Sequence, residues 1–175
     1  MILSKLKSLK RSQAGFTLIE VLAALAITGL ISLGASIATG QVLNQTSRNN
    51  DYTTASRNTL NALYWISRDA TMAQSINGTA GFPLTQDLSL SWIGWDNTEY
   101  SANYTLDNGI LRRVYSEGGQ VNTTFIAGNI NSDAALTSCI SDNGTLTVKI
   151  TSSVGAGGKI VNVTKVRKIA SRPNI

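Results

Sequence analysis

The chain has 175 residues, of which 14% are charged, and a formal net charge of +5 at pH 7. This length suits one folded domain with one additional segment. The chain contains one cysteine, Cys139, and no histidine, which excludes an internal disulfide, a Cys/His zinc site, a Ser-His-Asp triad and a Cys-His dyad. We therefore expect no metal, no cofactor and no enzymatic activity, and we expect Cys139 to be a small buried residue.

The positive charge is concentrated at the N-terminus. Four of the 15 basic residues lie within the first eleven positions, and the rest of the chain has 11 basic and 10 acidic side chains. The four residues are Lys5, Lys7, Lys10 and Arg11. Because the remainder is nearly neutral, the net charge permits nucleic-acid binding but does not favour it.

A long apolar segment follows the basic residues. No residue from Val21 to Gly40 is charged, and a helix of that length spans the roughly 30 Å hydrocarbon core of a bilayer. A secretory signal peptide has its small-residue cleavage site after the apolar core, whereas here Ser12–Gly15 precedes it. We predict a retained single-pass anchor in the cytoplasmic membrane, with the basic end inside and the C-terminal domain outside the cytoplasm.

Glu20 is the one acidic residue near the start of this segment. An isolated carboxylate in a membrane helix costs several kcal/mol unless it is paired or neutralised. Two local explanations stay open: Glu20 lies at the headgroup interface, or it stabilises a helix N-terminus. Thr17 is either a local hydrogen-bonding residue at the helix start or a polar residue tolerated at the interface.

The segment Ala14–Leu22, with its short basic leader, resembles the cleavage signature of type IV prepilins. The resemblance implies that a membrane prepilin peptidase cuts between Gly15 and Phe16 and methylates the new amino group of Phe16. It also implies that Glu20, as the fifth mature residue, docks onto the N-terminal amine of a neighbouring subunit during filament assembly.

Polar residues become frequent beyond Gly40, without a proline before Pro83. We predict that the helix continues to residue 76, where Asn77-Gly78 ends it. A mostly apolar stripe at spacings of three and four favours packing on a sheet over a coiled-coil seam. The stripe consists of Tyr52, Ala55, Thr59, Leu63, Ile66, Ala70 and Ala73.

After the helix the apolar period changes to two, which indicates strands. Predicted strand segments are Leu88–Trp95, Tyr100–Leu106, Ile110–Tyr115, Leu146–Ile150 and Lys159–Val166. Turns are predicted at Asp107-Asn108-Gly109, Asp142-Asn143-Gly144 and Gly155–Gly158. The predicted fold class is α+β, a long N-terminal helix packed on one C-terminal antiparallel sheet, which is also the architecture that the resemblance implies.

Four segments result: a removed leader (1–15), a membrane and filament-core helix (16–40), an amphipathic helix (41–76) and a β-rich domain (77–175). Weaker likenesses in 62–70 and 108–113 are to W-type minor pilins and J-type minor pseudopilins of type II secretion. The single cysteine does not permit the C-terminal disulfide loop of type IVa major pilins. The retained Glu20 differs from K-type tip subunits, and no acidic calcium site is evident.

The resulting interpretation is a minor pilin or pseudopilin of a type IV pilus or a type II secretion-like pseudopilus. Its implied partners are prepilin peptidase, other subunits, the inner-membrane assembly platform and membrane lipid. A DNA-uptake pilin is the main alternative. The basic residues that could contact DNA are Lys165, Arg167, Lys168 and Arg172. We expect them to form a solvated surface instead.

A membrane-anchored envelope enzyme is a further alternative. It would have to use carboxylates such as Asp69, Asp87 and Asp96, whose spacing identifies no reaction. The tryptophans are more simply interpreted as core residues than as an adhesive surface, and they are Trp65, Trp92 and Trp95.

Overall fold

The computed structural model describes residues 15–77, 82–83, 88–142 and 144–173. It contains one long helix, α1, nine strands and a short 3-10 helix at Gly157–Lys159. The helix spans Leu18–Met72, and the strands are β1 (Ser75–Asn77), β2 (Phe82–Pro83), β3 (Leu88–Ile93), β4 (Glu99–Asp107), β5 (Ile110–Glu117), β6 (Gln120–Ala127), β7 (Ser138–Asp142), β8 (Thr145–Val154) and β9 (Val161–Ala170). The chain forms two compact units, Met1–Gln45 and Thr46–Ile175.

The described part of the N-terminal unit is helical from Leu18 onward, with its apolar side chains exposed. Three hydroxyls within it bond to the carbonyl four residues earlier: Thr28 to Ala24 at 2.7 Å, Ser36 to Ser32 at 2.9 Å and Thr39 to Ala35 at 2.8 Å. Because these polar groups are satisfied inside the helix, they do not prevent its insertion into an apolar medium.

The C-terminal unit contains two antiparallel sheets. Sheet A has the order β1-β3-β4-β5-β6 and sheet B the order β2-β7-β8-β9. The α+β class is confirmed, but the expectation of one sheet is wrong. Residues 128–137 form a long connection without a tight hairpin turn, so β7 does not fold back on β6 and pairs with β8 instead.

Two of the predicted hairpins are present in the structure. Strands β4 and β5 pair with Asp107 opposite Ile110, and Asn108 and Gly109 have φ values of 48° and 75°, as a type I′ turn requires. Strands β8 and β9 pair from Val154 opposite Val161 onward. Sequence reasoning missed β6, although Gly118-Gly119 before it is itself a hairpin signal.

The helix ends at Met72, four residues before the predicted end, because residues 75–77 pair with β3 as strand β1. The predicted stripe lies in the core, with the exception of Tyr52, whose side chain is 55% exposed. Buried on the helix are Ala55, Thr59, Ala62, Leu63, Ile66, Asp69 and Ala70. Small alanines on this face let the helix approach the sheets closely.

The core combines the helix with residues of both sheets. Trp92 is buried and Trp65 packs against the core as predicted, but Trp95 is 96% exposed, so its predicted burial is wrong. Trp95 lies in the turn between β3 and β4, outside both strands, so the alternation of the sheet does not direct its side chain into the core. Cys139 is buried as expected, and burial raises the pKa of its thiol to about 12, which makes it unreactive near neutral pH.

Candidate processing and assembly site

The residues on either side of the predicted cut are accessible. Gly15 is exposed, Phe16 is 87% exposed, and both precede the first helical residue, Leu18. A methyl group added at Gly15 would meet no described atom within 4 Å. The predicted scissile bond therefore lies in exposed chain before the helix, where a protease can reach the backbone.

Thr17 and Glu20 form a reciprocal cap at the start of α1. The Thr17 backbone N–H and hydroxyl both donate to Glu20 Oε2 at 2.9 Å, and the Glu20 N–H approaches Thr17 Oγ1 at 3.4 Å. This is the capping-box pattern, in which a threonine and a glutamate three residues later satisfy the unpaired amide groups of a helix N-terminus. The structure thus supports the local hydrogen-bonding interpretation of Thr17 and the helix-terminus interpretation of Glu20.

The cap leaves part of the Glu20 carboxylate for another donor. Both bonds from Thr17 end on Oε2, and a carboxylate has two oxygens with about four acceptor positions. The cap also orients the side chain toward the first turn. Glu20 can therefore retain its role at the helix start while Oε1 accepts a bond from another molecule.

Between Val21 and Gly40 the helix surface carries no charge and is mainly apolar. Among the described residues, α1 is the one helix long and apolar enough to cross a membrane, and its apolar stretch is not buried in the protein. Its exposed apolar side chains include Leu22, Leu25, Leu30, Leu33 and Ile37. Such a surface needs a lipid or protein environment.

A second polar site lies inside the C-terminal unit. Asp69 of α1 is fully buried and accepts two bonds from Arg113 of β5, Nε to Oδ2 at 2.6 Å and Nη2 to Oδ1 at 3.0 Å. The Tyr104 hydroxyl donates to Oδ2 at 2.5 Å. Burial and the charge of Asp69 raise the pKa of Tyr104. Burial alone would lower the pKa of Arg113, but its bonds to Asp69 raise it.

Two aromatic rings lie close to the arginine of this ion pair. The Arg113 guanidinium carbon lies 4.3 Å from the Tyr115 ring centroid and 5.2 Å from that of Trp65. Both distances suit cation–π interaction. The network was missed by sequence reasoning, although Asp69 continues the buried row of Ala62 and Ile66 at spacings of four and three.

Of the carboxylates considered for an enzyme, the two that the structure describes are each bonded to other side chains of the C-terminal unit. Asp69 is paired and has no solvent exposure. Asp96 accepts bonds from the hydroxyl and N–H of Thr98, which lower its pKa, and Asp87 lies outside the described residues. Within the described ranges, no group of three Cys, Asp or Glu side chains is placed to hold a metal ion.

The C-terminal basic residues lie mainly on the surface. Lys165, Arg167 and Lys168 of β9 are exposed, and Arg167 Nη1 donates to Ser67 Oγ at 3.2 Å. Arg172 is partly buried and lies 5.3 Å from the Trp95 ring centroid. This agrees with the expectation of a solvated face for the residues of β9.

Comparison with known proteins identifies the N-terminal motif. The family model described as the prokaryotic N-terminal methylation motif matches residues 10–36. The chain therefore carries the type IV prepilin signature, followed by a long apolar helix. Searches of curated proteins and of solved structures returned no match.

The motif supports a type IV pilin-like protein and suggests a structural subunit rather than an enzyme. It implies processing by prepilin peptidase and assembly with other pilin subunits. The motif and the apolar helix together fit a protein anchored in the inner membrane.

Proposed function

We propose that this chain is a minor pilin or pseudopilin, cut between Gly15 and Phe16, methylated on Phe16 and inserted into a type IV pilus or a type II secretion-like pseudopilus. The observation that carries the proposal is the combination of the prepilin motif with a helix whose uncharged first part exposes its apolar side chains. The globular unit lies outside the cytoplasm, and an inner-membrane platform moves the subunit from the bilayer into the filament.

The apolar helix accounts for both environments. In the membrane, lipid covers its side chains, and in the filament the helices of neighbouring subunits replace the lipid. Since hydrocarbon chains and leucine side chains are similarly apolar, the exchange provides little hydrophobic driving force. Polar interactions at the helix start must therefore contribute to the direction of assembly.

Glu20 provides such an interaction. Cleavage after Gly15 creates a positively charged amine on Phe16, and this charge also needs a partner in an apolar environment. The capping bonds hold Glu20 Oε2 at the helix start. The methylated amine of the adjacent subunit then donates a hydrogen bond to Oε1. The pairing brings together two opposite charges, each of which would be unfavourable alone in the apolar filament core.

A bulky residue at Gly15 tests the processing step. We expect G15L to retain the leader completely in cells that contain prepilin peptidase, because a large side chain keeps the enzyme away from the scissile backbone. The measurement is the gel mobility of the membrane-bound chain. Since a side chain there meets no described atom, the folded unit should stay unchanged.

The matched control is G29L, because Gly29 also has no described atom within 4 Å of an added methyl group. We expect G29L to be cut at the wild-type rate. Cutting of G15L at that same rate would contradict the assigned cleavage site.

A further inference from the structure

We propose that strand β6 forms an antiparallel pair with strand β6 of a second copy of this chain. This contact goes beyond the proposed function: it involves only the C-terminal unit, although its occupancy rests on the proposed membrane anchoring. Exposed sheet edges present unpaired N–H and C=O groups, and proteins usually protect them by shortness, charge or a cover. The four edges in the described part of the chain differ in that protection.

Three of these edges are protected. Within the described residues, strands β1 and β2 are three and two residues long. Strand β9 is ten residues long but carries Lys165, Arg167 and Lys168. Strand β6 differs because it has eight residues, Gln120–Ala127, and no charged side chain.

The outer surface of β6 is also apolar in part. Val121 is 66% exposed and Phe125 is 63% exposed, and the residues from Gln120 to Thr123 are all exposed. A bulge opposite Leu111/Arg112 interrupts the ladder after Phe125. Regular, accessible strand therefore extends from Val121 to Phe125.

The register of β5 and β6 defines which backbone groups are free. The two-residue turn Gly118-Gly119 is closed by Glu117 opposite Gln120, and such a closing pair exchanges both ladder hydrogen bonds. Along β6, every second residue then directs its backbone N–H and C=O groups toward β5, and the residues between them direct these groups away from it. The N–H and C=O groups of Val121, Thr123 and Phe125 are thus directed away from β5, toward the edge.

These three residues are self-complementary. When two copies of β6 pair antiparallel about Thr123, Thr123 faces Thr123 of the second copy, and each Val121 faces the second copy's Phe125. Aromatic pairs with β-branched residues and threonine pairs are favourable cross-strand neighbours. No like charges oppose each other. A two-fold pair of this kind uses the same patch on both copies, which is why the occupant we assign is a second copy.

The contact is short, and confinement to a membrane or filament raises its occupancy. Anchoring two copies in one bilayer increases their effective concentration without any additional contact. The pair is consequently a weak one that forms between anchored subunits.

Cysteine cross-linking of the full-length chain in vesicles tests this pairing. A hydrogen-bonded antiparallel pair has Cα atoms about 5.5 Å apart, within the range that a disulfide can bridge. We expect oxidised T123C to form at least roughly tenfold more dimer than V166C, given the favourable cross-strand pairs. Val166 is the control because its side chain is exposed on the charged edge, β9. The native Cys139 is buried in both variants.

The register has its own test. V121C alone and F125C alone should give little dimer, whereas a mixture of the two variants should cross-link, because the pairing places these residues opposite each other. Two triple variants test the pairing through charge. In T123C/V121K/F125K, lysines face each other across the pair, so the dimer should be lost. In T123C/V121K/F125E, each lysine faces a glutamate, so the dimer should be kept. Equal cross-linking of T123C and V166C, or exclusive cross-linking of T123C to another protein, would overturn the self-pairing.

Discussion

Replacing Arg113 by alanine is expected to lower the free energy of unfolding of the globular unit by about 3–5 kcal/mol, the usual cost of removing one partner of a buried ion pair. The change leaves Asp69 charged and fully buried, without its bidentate partner. It also removes the cation between Trp65 and Tyr115. Urea titration of the full chain in mild detergent, followed by tryptophan fluorescence, measures the loss.

Arg112 provides a matched control for this prediction. It neighbours Arg113 on β5, but its side chain is exposed on the opposite face of the strand. We expect R112A to change stability by less than about 0.5 kcal/mol. Equal unfolding midpoints for R113A and R112A would show that the ion pair does not hold α1 on sheet A.

Replacing Glu20 by alanine is expected to prevent most incorporation into filaments while the globular unit folds normally. In the apolar filament core, the amine of the neighbouring subunit would lose its charged partner, and an unpaired charge is unfavourable there. We therefore expect incorporation to fall by roughly a hundredfold or more. The ratio of subunit in sheared filaments to subunit in membranes gives the measurement.

Three further variants separate charge from capping. E20Q keeps the size of the side chain without its charge, so it should fail nearly as completely as E20A. T17A removes the hydroxyl of the capping box but keeps the carboxylate, so we expect a loss of about 1 kcal/mol in helix stability and partial assembly. E99A removes an exposed carboxylate of β4 and should assemble normally. Wild-type incorporation of E20A would contradict the docking role.

Local signals made part of this structure predictable. Asp107-Asn108-Gly109 specifies its turn through the backbone preferences of two consecutive residues, and the chain reverses there. The uncharged run from Val21 to Gly40 predicts a membrane-length helix because length and polarity are sufficient for that inference. The signature around Gly15 and Glu20 likewise lies within a few consecutive residues.

Other features depend on contacts between distant residues. The Asp69–Arg113 pair joins positions 44 residues apart, and neither residue type indicates burial by itself. The division into two sheets depends on β7 pairing with β8 and not with β6, a choice that no single turn signal determines. The exposure of Trp95 was not predictable for a similar reason. Tryptophan is usually buried, and Trp95 is exposed because it lies in the turn between β3 and β4.

The most direct test of the proposed function is the mass of the N-terminal peptide of the mature chain from cells that contain prepilin peptidase. Cleavage after Gly15 and methylation predict a chain that begins at Phe16 and carries one methyl group on its amine. That result would also establish the amine that Glu20 is proposed to bind. An intact leader, or an unmodified N-terminus at another residue, would contradict the proposal that this chain is processed and assembled as a pilin-like subunit.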